Sequence, residues 1–216
     1  MIKAIIFDLD GVIADTERTK FDLLKILLKQ RGIILAEADY KKSVGIKIVI
    51  FLKKYFGNEL TDAEINNIFF ERKEELHRNP AKYVIEQPYA VDCCKKLFEA
   101  GFILAIASAS DEKDVKLVLS QLNILQFFKT IISSDSVENY KPHPETYLKC
   151  VEKLQLPTQE CIAIEDSPTG VKSAIAAGLA CVAVTYTHSK DELNEANEII
   201  DSLDQLTPEF AREIKD

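Results

Sequence analysis

Four short apolar runs, each followed closely by polar residues, constrain the fold of this chain more than any other feature. The runs span residues 4–7, 103–107, 131–132 and 161–164, and helical patterns separate the last three. Continuous apolar runs of this kind are typical of strands buried on both faces of a parallel sheet. The alternation of strands and helices predicts an α/β class, with a Rossmann-like parallel-sheet core.

The first apolar run ends in two aspartates, Asp8 and Asp10, and Gly11 follows them. An ionised carboxylate at a buried strand end is costly unless it is paired or bound to a metal, so these residues, with Asp15 nearby, favour a bound cation. Gly11 permits a sharp turn where a side chain would crowd the site. The alternative is a solvated acidic turn, because Asp and Gly are ordinary turn residues.

Polar side chains also follow the three later runs. Ser108 follows the second run, Lys141 lies in the loop after the third, and Glu165 and Asp166 follow the fourth. Ligands of open parallel sheets bind beyond the carboxyl ends of the strands, where the strand order reverses. We therefore expect all these residues to line one crevice. The alternatives are a helix cap for Ser108, which Ser110 or Asp111 could equally supply, and a solvated loop position for Lys141.

Helical spacing predicts the buried faces of the connecting helices. The expected core residues are Val115, Val118, Leu119 and Leu122; Tyr147, Leu148, Val151 and Leu154; and Val171, Ala174 and Ile175. Ser167 is the expected N-cap of the last of these helices, with Pro168 in its first position and Gly178 just past its end.

Residues 16–86 contain no strand-like segment and predict a small all-helical cap domain inserted after the first strand, with residues 1–15 and 87–216 forming the catalytic core. Thr61 and Glu64 form a candidate capping box. The insertion contains 14 Lys and Arg against 11 Asp and Glu, whereas the remainder contains 13 against 24. This asymmetry favours a cap that attracts an anionic substrate, and Lys20 and Lys47 are the candidate substrate contacts. The alternative for any single lysine is a solvated helix face.

Taken in order, these motifs resemble those of the haloacid dehalogenase superfamily, in the helical-cap branch that includes β-phosphoglucomutase. The resemblance rests on residues 8–12, Ser108, residues 141–144 and residues 165–170, and it spans nearly the whole chain. It implies a Mg2+-dependent phosphatase that hydrolyses a small phosphomonoester, such as a sugar phosphate, through an aspartyl-phosphate.

The chemistry of each residue type agrees with that activity. A carboxylate is ionised at neutral pH, so Asp8 is the candidate nucleophile, and Asp10 is the candidate general acid and base. Ser108 and Lys141 would bind the phosphate oxygens. Mg2+ prefers oxygen ligands, and the carboxylates of Asp8 and Asp166 would hold it. The family adds the main-chain carbonyl of Asp10, and Glu165 is a further ligand, either directly or through water.

Two alternatives remain open. The chain departs from the β-phosphoglucomutase pattern at Lys20, where that enzyme has His, and at Ile48, where it has an Arg that binds the sugar phosphate. A phosphomutase is therefore the second interpretation, since an aliphatic side chain does not replace a bidentate Arg, although Lys47 would do so in part. A non-catalytic protein that binds a phosphate ligand or regulates another protein is the third.

The composition excludes several other classes. With a net charge of -8 and no basic stripe, the chain is not expected to bind nucleic acid. Five cysteines without a C-x-x-C pair favour a reducing compartment, and neither a signal peptide nor a membrane-length apolar run is evident. We expect a cytoplasmic monomer or homodimer whose partner is a small-molecule phosphate ester.

Overall fold

The computed structural model describes residues 1–39 and 48–214 of the chain. The strands are β1 (Ala4–Phe7), β2 (Ile103–Ala107), β3 (Phe128–Ile132), β4 (Cys161–Glu165), β5 (Ala180–Val184) and β6 (Glu198–Ile200). The helices are α1 (Thr16–Gln30), α2 (Ile48–Phe56), α3 (Asp62–Arg78), α4 (Pro80–Tyr83), α5 (Ala90–Glu99), α6 (Glu112–Gln121), α7 (Glu145–Leu154), α8 (Pro168–Ala176) and α9 (Pro208–Glu213). Of the helices described, none combines the length and apolar content needed to cross a membrane.

The strands form one parallel sheet in the order β3-β2-β1-β4-β5-β6. Strand β1 lies in the interior of the sheet, between β2 and β4, and all four of its residues are fully buried. Alternate residues of the strands pack on opposite faces, and one face meets an apolar cluster that includes residues of α7 and α8. The predicted Rossmann-like parallel α/β fold is confirmed.

The chain divides into two compact units, one formed by Met1–Ala14 with Glu86–Asp216 and the other by Asp15–Ile85. These boundaries lie one residue away from those expected from the sequence. Within residues 15–39 and 48–85, all the regular structure is helical. This helical unit has its own core, in which Phe21, Leu24 and Leu28 of α1 pack with residues of α2 and α3. Thr61 and Glu64 form the predicted capping box at the start of α3.

Two helix-face predictions are partly wrong. Leu148 is 44% exposed and Ile175 is 40% exposed, although the spacing placed both in the core. In α7 the buried residues are Thr146, Tyr147, Cys150, Val151 and Leu154. Successive helix residues differ by about 100° around the axis, so the Leu148 side chain points past the edge of the buried stripe. Ile175 follows the buried Ala174 in the same way.

Candidate active site

The carboxyl ends of β1 and β4 bring together the acidic residues expected from the sequence. Strand β1 has β2 on one side and β4 on the other, so the strand order reverses here, and a crevice is expected at this position. Asp8 follows β1, and its N–H donates to the carbonyl of Ile164 at 2.9 Å. Glu165 ends β4 and Asp166 follows it. Two neighbouring strand ends therefore supply three carboxylates.

These three carboxylates form a buried acidic cluster. One oxygen from each of Asp8, Glu165 and Asp166 lies within 4.8 Å of the others, and all three residues are buried. Burial raises the pKa of Asp8 to about 7, although the nearby Lys141 acts in the opposite direction. Burial and the charges of Glu165 and Asp8 raise the pKa of Asp166 well above its usual value. Burial and mutual repulsion therefore disfavour the ionised form of these carboxylates.

Lys141 supplies one positive charge to this cluster. Its Nζ lies 2.6 Å from Asp8 Oδ1 and 2.6 Å from Glu165 Oε1, and it donates to the carbonyl of Ala107 at 2.9 Å. These three acceptors match the three donors of an ammonium group, and the Tyr147 hydroxyl lies farther away, at 3.4 Å from Nζ. The side chain is 8% exposed. Burial alone would lower the pKa of Lys141, but the charges of Asp8 and Glu165 outweigh it and raise the pKa above its ordinary value. A solvated loop position is excluded.

The loop before Lys141 is fastened to the start of α7. The carboxylate of Glu145 accepts hydrogen bonds from the N–H groups of Glu138, at 3.0 Å, and Asn139, at 2.9 Å, and pairs with Lys149 at 2.8 Å. The hydrogen bond from Lys149, together with those from the two loop residues, lowers the pKa of Glu145 to about 2. The Lys141–Pro142 peptide bond is cis.

Glu165 is held by protein donors at both of its oxygens. Oε1 accepts from Lys141 and from the hydroxyl of the fully buried Tyr147 at 2.8 Å. Oε2 accepts from the N–H of Asp166 at 3.2 Å and from the hydroxyl of Ser167 at 3.3 Å. A carboxylate engaged in this way orients the groups that donate to it.

Two glycines permit the close approach of these carboxylates. A Cβ atom added at Gly11 would lie 2.0 Å from Asp166 Oδ2, and one added at Gly170 would lie 2.0 Å from both carboxylate oxygens of Glu165. Gly11 also has a φ of +88°, a conformation that L residues rarely adopt. Gly170 lies in the first turn of α8, where its N–H donates to Ser167, the predicted N-cap. Side chains at either position would displace the cluster.

Asp10 is bound by the serines that follow β2. Ser110 Oγ donates to Asp10 Oδ2 at 2.8 Å, and Ser108 Oγ lies 3.3 Å from the same oxygen. The N-cap of α6 is Asp111, whose side chain accepts from the N–H of Asp114. The hydroxyl of Ser108 is therefore not the cap of this helix. Asp10 also contributes to the raised pKa of Asp8 by like-charge repulsion.

Asp15, which follows Asp8 and Asp10 closely in sequence, is the N-cap of α1. Its carboxylate accepts from the N–H of Arg18 at 3.0 Å, at the start of α1, because an N-cap side chain satisfies a free N–H of the first turn. Lys20 lies on α1 and pairs with Glu17 at 2.8 Å. Lys47 lies outside the described residues. Substrate contacts by Lys20 and Lys47 stay predictions.

Thr187 and His188, which follow β5, were missed by sequence reasoning. Both contact Asp166. The signal was present, because residues 180–184 are a continuous apolar run followed by polar residues, as in the four runs that were used. A fifth strand end therefore contributes to the site.

Comparisons with known proteins identify a family and several similar proteins. The model of the haloacid dehalogenase-like hydrolases matches residues 5–184. The protein YhcW of Bacillus subtilis is 33% identical over 189 residues, which cover 85% of this chain and 84% of that protein. Hexitol phosphatase A of Escherichia coli is 28% identical over 205 residues, covering 95% and 93% of the two chains. The crystal structure of β-phosphoglucomutase from Clostridium difficile superposes with a TM-score of 0.75 at 28% identity, covering 99% of this chain and 96% of that one.

Proposed function

The chain belongs to the haloacid dehalogenase-like hydrolases, and we propose that it is a Mg2+-dependent phosphatase that hydrolyses a small phosphomonoester through an aspartyl-phosphate on Asp8. The observation that carries the proposal is the buried cluster of Asp8, Glu165 and Asp166, with Lys141 bonded to the first two. The name of the Escherichia coli relative, a hexitol phosphatase, favours a phosphorylated sugar or sugar alcohol as substrate.

The acidic cluster fits a divalent cation of the Mg2+ type. Carboxylate oxygens are the ligands that such hard cations prefer. Three buried carboxylates face one ammonium group, so a cation of charge two would balance the cluster. We assign Asp8 and Asp166 as direct ligands, with the carbonyl of Asp10, and Glu165 as a further ligand, either directly or through water. Bound Mg2+ supplies positive charge that keeps Asp8 ionised and offsets the charge of the phosphate oxygens.

The first chemical step transfers the phosphoryl group to the protein. A carboxylate oxygen of Asp8 attacks phosphorus in line with the leaving alcohol, and the bond between phosphorus and the alcohol oxygen breaks. Asp10 donates its proton to that oxygen, so the alcohol leaves neutral. The hydroxyl of Ser108 donates to a non-bridging phosphate oxygen. The ammonium of Lys141 attracts these oxygens as a positive charge, and both groups stabilise the charge of the transition state.

The second step returns the protein to its starting state. Asp10, now ionised, takes a proton from a water molecule, which attacks phosphorus of the aspartyl-phosphate. The bond between phosphorus and the Asp8 oxygen breaks, and inorganic phosphate leaves. The hydrogen bond from Ser110 supports this role because it holds the Asp10 carboxylate in one orientation.

Phosphate release from a panel of phosphomonoesters, measured with Mg2+ and with EDTA, tests this proposal. We expect metal-dependent turnover, a loss of at least about a thousandfold in kcat for Asp8→Asn, and one of about 100- to 10,000-fold for Asp10→Asn. Asp92→Asn is the matched control, because Asp92 pairs with Lys96 on an exposed face of α5. Turnover unchanged in Asp8→Asn would exclude Asp8 as the nucleophile. No metal-dependent turnover by the unmodified chain on any ester would favour a binding or regulatory protein.

A phosphomutase is the second candidate, and the similarity to β-phosphoglucomutase along nearly the whole chain favours it. The two activities differ in product. With β-glucose 1-phosphate and a trace of the 1,6-bisphosphate, a mutase forms glucose 6-phosphate, whereas a phosphatase releases inorganic phosphate. The ratio of these products decides between them.

A further inference from the structure

The segment after β5 makes a set of contacts with Asp166 that the proposed chemistry does not use. Thr187 Oγ1 forms a short hydrogen bond with Asp166 Oδ2, and it also lies 3.1 Å from the main-chain oxygen of Asp166. His188 Nδ1 lies 3.0 Å from that main-chain oxygen and 2.9 Å from Thr187 Oγ1. Two consecutive residues of one strand end therefore bind both the side chain and the main chain of one acidic residue.

The hydrogen atoms of this network can be assigned. Thr187 has a single hydroxyl hydrogen, and the shorter contact, to a charged oxygen, takes it. Both atoms within reach of His188 Nδ1 are oxygens, and one of them, the main-chain oxygen of Asp166, can only accept. His188 Nδ1 therefore carries a hydrogen in this arrangement. The direction of donation is from His188 to Asp166 and Thr187, and from Thr187 to the carboxylate.

The methyl group of Thr187 and the carboxylate of Asp166 both lie beside the backbone of Gly11. A Cβ atom added at Gly11 would lie 2.0 Å from Asp166 Oδ2 and 3.1 Å from Thr187 Cγ2. Asp166, Thr187 and the backbone of Gly11 are therefore in close proximity, and Gly11 leaves no room there for a side chain. Rotation of the Asp166 side chain would break the hydrogen bond to Thr187.

We propose that Thr187 is a positioning residue for the metal site, which fixes the orientation of the Asp166 carboxylate within the acidic cluster. The inference rests on the proposed function, in which Asp166 is a metal ligand. Ligating carboxylates require hydrogen-bond partners of their own, and loss of such a partner weakens metal affinity by about 10- to 100-fold. Thr187 is separated from Asp166 by 21 residues and reaches it only through the parallel pairing of β4 with β5.

Metal affinity measured on the full chain separates this role from a structural one. Thr187→Val keeps the volume and the methyl group beside Gly11 but removes the donor, whereas Thr187→Ser keeps the donor. Isothermal titration calorimetry with MgCl2, and electron paramagnetic resonance with MnCl2, would report binding without turnover. We expect an affinity about 10- to 100-fold weaker for Thr187→Val and near that of the unmodified chain for Thr187→Ser.

Thr185→Val is the matched control, because the Thr185 hydroxyl lies on the same segment and contacts Asp201 at 3.3 Å instead of the acidic cluster. We expect its metal affinity to be unchanged. At saturating Mg2+, the kcat of Thr187→Val should largely recover, since the variant loses metal binding and none of the reacting groups.

Several results would overturn the inference. Unchanged metal affinity in Thr187→Val would do so, as would an equal loss in Thr187→Ser or in Thr185→Val. Urea unfolding in EDTA shows whether each variant is folded. If Thr187→Val does not fold, Thr187→Cys replaces it, because a thiol is a weak donor, and unchanged affinity in that variant would overturn the inference. An unmodified chain that binds no metal would refute the proposed function itself, and this inference with it, whereas a metal-binding chain with an insensitive Thr187 refutes the inference alone.

Discussion

Replacing Lys141 with Met would show how strongly one ammonium group holds the acidic cluster together. Nζ lies 2.6 Å from a carboxylate oxygen of Asp8 and 2.6 Å from one of Glu165. At an effective dielectric constant of about 20, each contact corresponds to about 6 kcal/mol of attraction before desolvation is counted. Desolvation of the three groups offsets much of this. Removing one partner of a buried ion pair costs about 3 to 5 kcal/mol in the free energy of unfolding, because a buried carboxylate remains unpaired.

Uptake of a proton by the acidic cluster limits the loss in the free energy of unfolding when Lys141 is replaced, because a buried acid without a partner becomes neutral. We therefore expect the free energy of unfolding of Lys141→Met, measured in EDTA at pH 7, to fall by no more than about 3 to 5 kcal/mol. Hydrolysis should also fall, because Lys141 is proposed to bind the phosphate oxygens.

Urea unfolding followed by circular dichroism measures this loss. Lys116→Met is the matched control, because Lys116 pairs with Glu112 on an exposed face of α6 and such pairs contribute less than about 1 kcal/mol. If the two variants are equally stable, Lys141 does not compensate the buried carboxylates, and the electrostatic account of the site is wrong.

Two further predictions concern residues that support the cluster. Gly170→Ala places a methyl group about 2.0 Å from the Glu165 carboxylate oxygens, so we expect loss of hydrolysis and a lower melting temperature. Thr169→Ala is the control, because Thr169 is exposed in the same turn, and we expect its activity and melting temperature to match those of the unmodified chain. The pKa of Glu145 is lowered to about 2, so its stabilisation is complete above its ordinary value of 4.5 and is lost as the pH falls towards 2. Glu145→Gln should therefore weaken the acid dependence of unfolding in that range, and an unchanged pH profile measured by urea unfolding would contradict this.

Four of the strands and the ends of α8 could be predicted because they depend on local patterns. The run at 4–7 is apolar at every position and became an interior strand. Ser167, Pro168 and Gly178 delimit α8 as expected, because each satisfies a requirement of a helix end. Leu148 and Ile175 were misplaced because an apolar residue beside the buried stripe has the same local signal as one within it.

The candidate site was predictable to the extent that its residues follow apolar runs. Asp8, Lys141 and Asp166 were named from their positions after such runs, and the structure brings Asp8 and Asp166 into one cluster with Lys141 bonded to Asp8. The N-cap role of Asp15 was not predicted, because an acidic residue near a metal site and an acidic N-cap look alike in sequence. Thr187 was missed because its partner is set by strand pairing, which the order of residues along the chain does not contain.

The sequence by itself determined which segments are strands and helices and which strand ends carry acidic or basic side chains, because these follow from periodicity and residue type. Only the tertiary structure decided that Lys141 forms hydrogen bonds with both Asp8 and Glu165, and that Thr187 holds Asp166. The physical reason is that hydrogen bonds and buried ion pairs depend on distances of a few ångströms between distant segments. The order of the strands in the sheet sets those distances.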